Sequence, residues 1–326
     1  MRVKPKEEVM KKRRGKPLAM ILKSLGVIAI AIVLFLAIVF IVNVICNKSE
    51  QGKIKLYGQS VTVDGKNMNV LIQGKGEETV VLLPGFGTPA PGLDFKSLVE
   101  ELSPFYKVVV IEPFGYGLSD LSEKERSTEN IVSEIHEALE RLHIDRYILM
   151  GHSISGIYGL DYVNKYENEV SAFVGLDSSV STIREKKVES SDIETAKLIK
   201  KSGFFRFFLN LGTDPFATLP FDDITKEQMR MFMHKNVYNP NQLNELENMY
   251  SNYDAVEKLT FPKNLPVMFF IEANKQGIDR WIPEHEEQVK DSVHAKVMLL
   301  EDGHFLHRTK AKEIVENFRE FMQEIK

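Results

Sequence analysis

Apolar residues fall along this chain in three arrangements, and each predicts a different kind of element. The first is one unbroken run from Leu25 to Cys46, LGVIAIAIVLFLAIVFIVNVIC, uncharged over 22 residues and with Asn43 as its single polar side chain. About 20 such residues coiled as a helix cross the ~30 Å of hydrocarbon in a bilayer, so the run predicts a transmembrane helix. The second arrangement starts with a predicted hairpin, in which KIKLYGQSVTV and NMNVLIQG flank the turn pair Asp64-Gly65. Short apolar runs then alternate with amphipathic ones. TVVLLPG, YKVVVIEPFG, RYILMGHS and VSAFVGLDSS predict strands, and DFKSLVEELS, STENIVSEIHEALERLH and ISGIYGLDYVNKY predict helices. Strands that are apolar throughout, rather than at alternate positions, are buried on both faces. They predict a doubly wound, mostly parallel α/β sheet with helices on either side.

The third arrangement interrupts this alternation. Residues from about 180 to 262 carry helical patterns such as GFFRFFLNLG and KEQMRMFMHKNV, without strands between them. LPVMFFIEA and HAKVMLLEDGHF then resume the sheet, and TKAKEIVENFREFMQEI predicts a closing helix. An insertion of this kind predicts a helical cap over the C-terminal edge of the strands, where ligands bind in such sheets. Phe204, Phe205, Phe207, Phe208, Met229, Met231, Phe232 and Met233 make it rich in aromatic and flexible side chains. They are expected either to pack the cap onto the domain or to line an apolar acyl pocket. The predicted organisation is a basic tail (1–24), a transmembrane helix (25–46), a polar linker (47–52) and an α/β domain (53–326) holding the cap.

Charge adds an orientation. MRVKPKEEVMKKRRGK, ahead of the apolar run, has eight basic residues against two acidic ones. That bias predicts a cytoplasmic N-terminus and a domain outside the cytoplasm. The long apolar core, and the lack of an A-x-A pattern in NVICNKSE, argue for an uncleaved anchor over a signal peptide. Residues 47–326 hold 33 basic and 44 acidic side chains, a balance of −11 without the basic stripe of a nucleic-acid binder. Cys46, the only cysteine, sits at the membrane edge, so the domain folds without intramolecular disulfides.

The candidate chemistry centres on Gly151-His152-Ser153-Ile154-Ser155-Gly156, where a predicted strand feeds directly into a helix. A serine projecting there needs a strained backbone with small neighbours. The stretch resembles the nucleophile elbow of the α/β-hydrolase family, G-x-S-x-G, with Ser155 in place of the final glycine. The resemblance extends over nearly all of residues 68–326. LLPGFGTPA follows the third strand, where the family often has His-Gly-x and this chain has Pro84. IEPFGYGLSD matches the family's D-x-x-G-x-G-x-S. By position, the resemblance implies that the backbone N–H groups of Phe86 and Ile154 bind an oxyanion.

It also implies a histidine base after the last strand. In EDGHFLH the family's Gly-His falls on His304, and His307 is expected to begin the closing helix. The acid stays open. The family usually places it after LPVMFFI, but Lys275 stands at that position, with Glu272 three residues early and Asp279 four late. Asp177 in VGLDSS ends the preceding strand, as the acid does in pancreatic-type lipases, and is the favoured candidate. No H-E-x-x-H pattern occurs, and neither a metal nor an organic cofactor is implied. The resemblance therefore implies a membrane-anchored serine hydrolase acting on a small-molecule or lipid ester through Ser153, His304 and Asp177. Two other readings remain: a non-catalytic binding protein, and a carbon–carbon hydrolase or lyase on the same triad.

Overall fold

A computed structural model of the chain describes residues 6–182, 186–274 and 277–325. Eight strands form one sheet: β1 (Gln59–Val63), β2 (Lys66–Gln73), β3 (Thr79–Leu83), β4 (Lys107–Glu112), β5 (Tyr147–His152), β6 (Val170–Leu176), β7 (Val267–Glu272) and β8 (Ala295–Leu300). Their order is β1-β2-β4-β3-β5-β6-β7-β8. The β1–β2 hairpin turns at Asp64 and Gly65, both at positive φ, and β2 pairs antiparallel with β4. From β4 to β8 every pairing is parallel.

Twelve helices are described: α1 (Lys6–Gln51), α2 (Pro91–Asp94), α3 (Lys96–Leu102), α4 (Thr128–Arg141), α5 (Ser155–Lys165), α6 (Ser190–Ser202), α7 (Phe204–Leu211), α8 (Asp223–Asn236), α9 (Pro240–Val256), α10 (Ile278–Val289), α11 (Leu306–Thr309) and α12 (Ala311–Glu324). The predicted Ser/Thr cap of α4 is Ser127, whose hydroxyl accepts the Asn130 N–H. The strand period of two divides the core. Val81, Leu83, Val109, Ile111 and Leu149 meet Ile131, Val132, Ile135, Ile157 and Leu160 of α4 and α5. Val80, Leu82, Val108, Val110 and Ile148 meet Leu98, Leu102, Ile314 and Phe318 of α3 and α12. With both faces covered, β3 and β5 are buried along their whole length. Each such side chain contributes about 1.5–3 kcal/mol by leaving water.

Two expectations are corrected. Residues 47–51 are not a linker but the last turn of α1, which runs on because Asn47 and Glu50 are held by Arg206 of α7. The α7 phenylalanines pack on α1 and on Tyr238 rather than against the sheet. Phe204 and Phe207 pack on Phe35 of α1, and Phe205 packs on Tyr238. Met229 is buried under the cap with Phe216 and Phe221.

Buried polar side chains join α8 and α9 to the loops at the C-terminal strand edge. Asn236 donates to the Pro89 and Gly117 carbonyls, and Asn239 to that of Gly115. Asn241 brackets Ser122 by accepting its N–H and donating to its carbonyl. Glu245 accepts from the hydroxyls of Tyr116 at 2.7 Å and Tyr158 at 2.8 Å. These bonds fix the loops after β3 and β4, which border the site.

Candidate active site

Parallel register brings the strand ends together: Leu83 of β3 pairs with Gly151 of β5, and His152 of β5 with Leu176 of β6. Ser153, the next residue, has φ 53°. A side chain in this left-handed region costs roughly 1–2 kcal/mol, and here the surroundings enforce it. The Ser153 N–H donates to the Leu176 carbonyl, and the Ser153 carbonyl accepts from Gly156 and Ser179. Gly85 lies directly above: a Cβ on it would stand 3.0 Å from Ser153 Cβ and 2.6 Å from His152 Nδ1. The departure at Ser155 has a local reason, since its Oγ donates to the Pro84 carbonyl at 2.6 Å and ties the elbow to the β3 loop.

The same loop presents backbone N–H groups beside the serine. The Gly87 N–H donates to Tyr116 Oη, and Thr88 closes a turn on the Gly85 carbonyl. Among the described residues, the N–H groups of Phe86 and Ile154 donate to no protein acceptor. Both stand beside the elbow and are available to an anionic oxygen.

His304 lies on the loop after β8. Its Nδ1 is 2.6 Å from Asp177 Oδ2, and its carbonyl accepts from His152 Nε2 at 3.0 Å. A carboxylate only accepts, so Nδ1 is the donor, the tautomer of a neutral imidazole in which Nε2 holds the lone pair. The Asp177 side chain is wholly buried, whereas that of His304 is 36% exposed, so the acid is shielded and the imidazole is open. Asp177, at φ 40°, donates its N–H to the Phe270 carbonyl, and its Oδ1 accepts the Glu272 N–H. No hydrogen bond joins Ser153 Oγ to His304 among the described residues. Such contacts commonly tighten only when substrate binds.

Of the other acid candidates, Asp279 is exposed in the first turn of α10, and Lys275 lies outside the described residues. Glu272 is near: Asp177, Glu272 and His304 offer ligand atoms within 4.8 Å of one another, a donor set that suits a metal ion. The direct bond between His304 and Asp177 already occupies two of those atoms, an arrangement that orients the imidazole.

A buried cluster behind the site escaped the sequence reading. His307 does not begin the closing helix. It lies in α11 with no exposed side-chain surface, its Nε2 2.6 Å from Asp94 Oδ2, while Arg308 also binds Asp94. Burial alone would lift the Asp94 carboxyl, but His307 and then Arg308 hold it below the usual carboxylate range. Burial pushes His307 down despite Asp94, which Arg308 also binds. His152, down-shifted by burial and then by His307 and His304, lies 4.6 Å from each of those rings, tilted against His304 and edge-on to His307. The repeated histidines of Gly-His-Ser and Gly-His-Phe-Leu-His were the available signal.

Residues 78–290 match a family model described as the alpha/beta hydrolase fold. The chain is 30% identical over 274 residues to the uncharacterized protein YbdG of Bacillus subtilis, covering 80% of this chain and 83% of that protein. A shorter stretch of 96 residues is 35% identical to Karrikin insensitive 2 receptor CA of Petunia hybrida, covering 28% of this chain and 35% of the receptor. The crystal structure of epoxide hydrolase VrEH1 from Vigna radiata superposes with a TM-score of 0.61 at 19% identity, over 82% of this chain and 97% of that one. At that identity the likeness is one of fold.

Proposed function

Because the chain belongs to the α/β-hydrolase fold family, we propose that it is a serine hydrolase of carboxylic esters, anchored by α1 with its catalytic domain outside the cytoplasm. The observation that carries this reading is the 2.6 Å contact of His304 Nδ1 with Asp177, on the strand edge where Ser153 stands in a left-handed turn. In the proposed cycle, Ser153 Oγ attacks the ester carbonyl while His304 Nε2 takes its proton. The Phe86 and Ile154 N–H groups hold the tetrahedral oxyanion. Collapse expels the alcohol, which His304 protonates. Water then attacks the acyl-enzyme with His304 as base and frees Ser153. A serine at the elbow favours acyl transfer through an acyl-enzyme.

The anchor reading rests on α1. Its apolar portion, Leu18–Gln51, is 6% buried over its most apolar window, so nearly all of that surface requires an apolar solvent. Protease added to spheroplasts is expected to remove the domain and spare the basic tail; full protection would reverse the orientation.

The activity test is labelling of the full chain by a fluorophosphonate, which traps an activated serine. Label is expected at Ser153 and absent from Ser153→Ala. Equal labelling of both would overturn the mechanism. The second reading, a fold kept for binding, is favoured by the local match to the karrikin receptor. It predicts that the wild-type chain takes up no label.

A further inference from the structure

The cap carries a helix unlike its neighbours. Six of the eight residues of α7, FFRFFLNL, are Phe or Leu, and Phe208 and Leu211 are 57% and 70% exposed. The helix is docked on α1. Phe204 and Phe207 lie against Phe35, with ring centroids 6.1 and 5.5 Å apart. The α6–α7 corner is Gly203, at φ 89°, where a Cβ would stand 2.7 Å from Asn43 Cβ and 2.9 Å from the Val39 carbonyl oxygen. Arg206, 5% exposed, reaches the other way along α1 and bonds Asn43, Asn47 and both oxygens of Glu50. Asn43, the only polar side chain of the apolar run, is thereby partnered.

The seam is graded along the α1 axis. Its polar end is Asn47 and Glu50, and its aromatic end is Phe35, 11 residues inside the last apolar residue, Cys46. At ~1.5 Å per residue that is ~16 Å, about half the thickness of a bilayer core. α7 thus lies alongside the outer half of the apolar run with Phe208 and Leu211 uncovered by protein. From this continuity we infer that α7 is a second membrane element, a short helix whose Phe208 and Leu211 enter the acyl chains of the leaflet that surrounds the outer half of α1. This rests on the reading of α1 as a transmembrane helix. It seats the cap, and through α8 and α9 the loops around Ser153, on the membrane surface. The substrate class this favours is a lipid ester taken from that leaflet.

Depth measurements on the full chain in phosphatidylcholine nanodiscs test it. In a Cys46→Ser background, Phe208→Cys, Leu211→Cys, Val33→Cys on the exposed face of α1 and Lys312→Cys on α12 each receive an environment-sensitive fluorophore. Val33, Leu211 and Lys312 point outward, and Phe208, 57% exposed, rests on Phe204 and Phe207 of its own helix. Spin-labelled acyl chains are expected to quench positions 208, 211 and 33 at least about twofold, with aqueous iodide excluded, and position 312 to respond only to iodide. If position 33 is lipid-quenched while 208 and 211 behave like 312, the inference is overturned and the span stands. If position 33 also responds only to iodide, both fall.

Discussion

Helices α8 and α9 meet the α/β core through amide and carboxyl side chains, whereas α7, in the same insertion, meets α1 through phenylalanines and one arginine. The difference follows from what each half must cover. The loops after β3 and β4 expose backbone N–H and carbonyl groups that must be paired once the cap buries them, and Asn236, Asn239 and Asn241 pair them, while Glu245 accepts from the buried Tyr116 and Tyr158 hydroxyls. α1 offers a helix whose backbone is already satisfied, so contact with it needs shape and apolar surface, with polarity only at Asn43, Asn47 and Glu50. The site-side seam therefore fixes the loops around Ser153, and the α1-side seam fixes the cap against α1.

Activity gives the largest effects, and should leave both seams intact. Ser153→Ala is expected to lower kcat for an aryl ester by about 10³-fold or more with unchanged melting. Asp177→Asn should cost roughly 10²–10⁴-fold by misorienting His304, while Asp279→Asn costs less than about threefold. If Glu272→Gln costs as much as Asp177→Asn, the acid is shared.

Next in size is the site-side seam. Glu245→Ala leaves the buried Tyr116 and Tyr158 hydroxyls without their acceptor, and urea unfolding should show a loss of about 3 kcal/mol. Full activity at unchanged stability would mean that the cap is held elsewhere.

Acid should loosen the same region. His152 and His307 are pushed down by burial, so the unfolded chain binds protons that the folded chain refuses. Their stability is fully present above the ordinary imidazole value of about 6.5. It falls away below that, by up to about 1.4 kcal/mol per histidine per pH unit until each folded-state pKa is reached. Glu245, raised by burial, acts oppositely: its contribution is present below the ordinary carboxyl value and lost as pH climbs through the raised one. Melting temperature should drop between pH 7 and pH 5, and His152→Gln should flatten that slope.

Local pattern carried most of the fold. Runs of four to eight apolar residues, the Asp64-Gly65 turn and the strand-to-helix step at Ser153 are contiguous signals, and each marks an element or turn of the structure. The end of β6 puts Asp177 at the sheet edge beside the loop that carries His304. What stayed hidden joins distant residues. His307 binds Asp94 across 213 positions, Tyr116 binds Glu245 across 129, and Arg206 binds Glu50 across 156. Periodicity reports which face of an element is apolar, not which polar group on another element will meet it. The aromatic richness of the cap was visible, but its partner was not, since a transmembrane prediction treats α1 as surrounded by lipid alone.

The smallest expected effect is the sharpest probe of the α1-side seam. Arg206 presents a planar fork that meets both Glu50 oxygens while its remaining N–H groups reach Asn43, Asn47 and His234. In Arg206→Lys the charge persists, but an ammonium on a flexible stem cannot span these partners together. The pair is partly buried and keeps its Coulomb attraction, so the loss should be about 1 kcal/mol, seen as a few degrees in the melting of the full chain in detergent. Ester hydrolysis at the melting-corrected temperature should be unchanged, because α8 and α9 still hold the loops around Ser153. Gly203→Ala should cost more than Arg206→Lys, since its Cβ meets α1 backbone at Val39, which cannot rotate away. If Arg206→Lys instead lowers kcat as strongly as Glu245→Ala does, the two halves of the cap are one mechanical unit, and the division of labour between them fails.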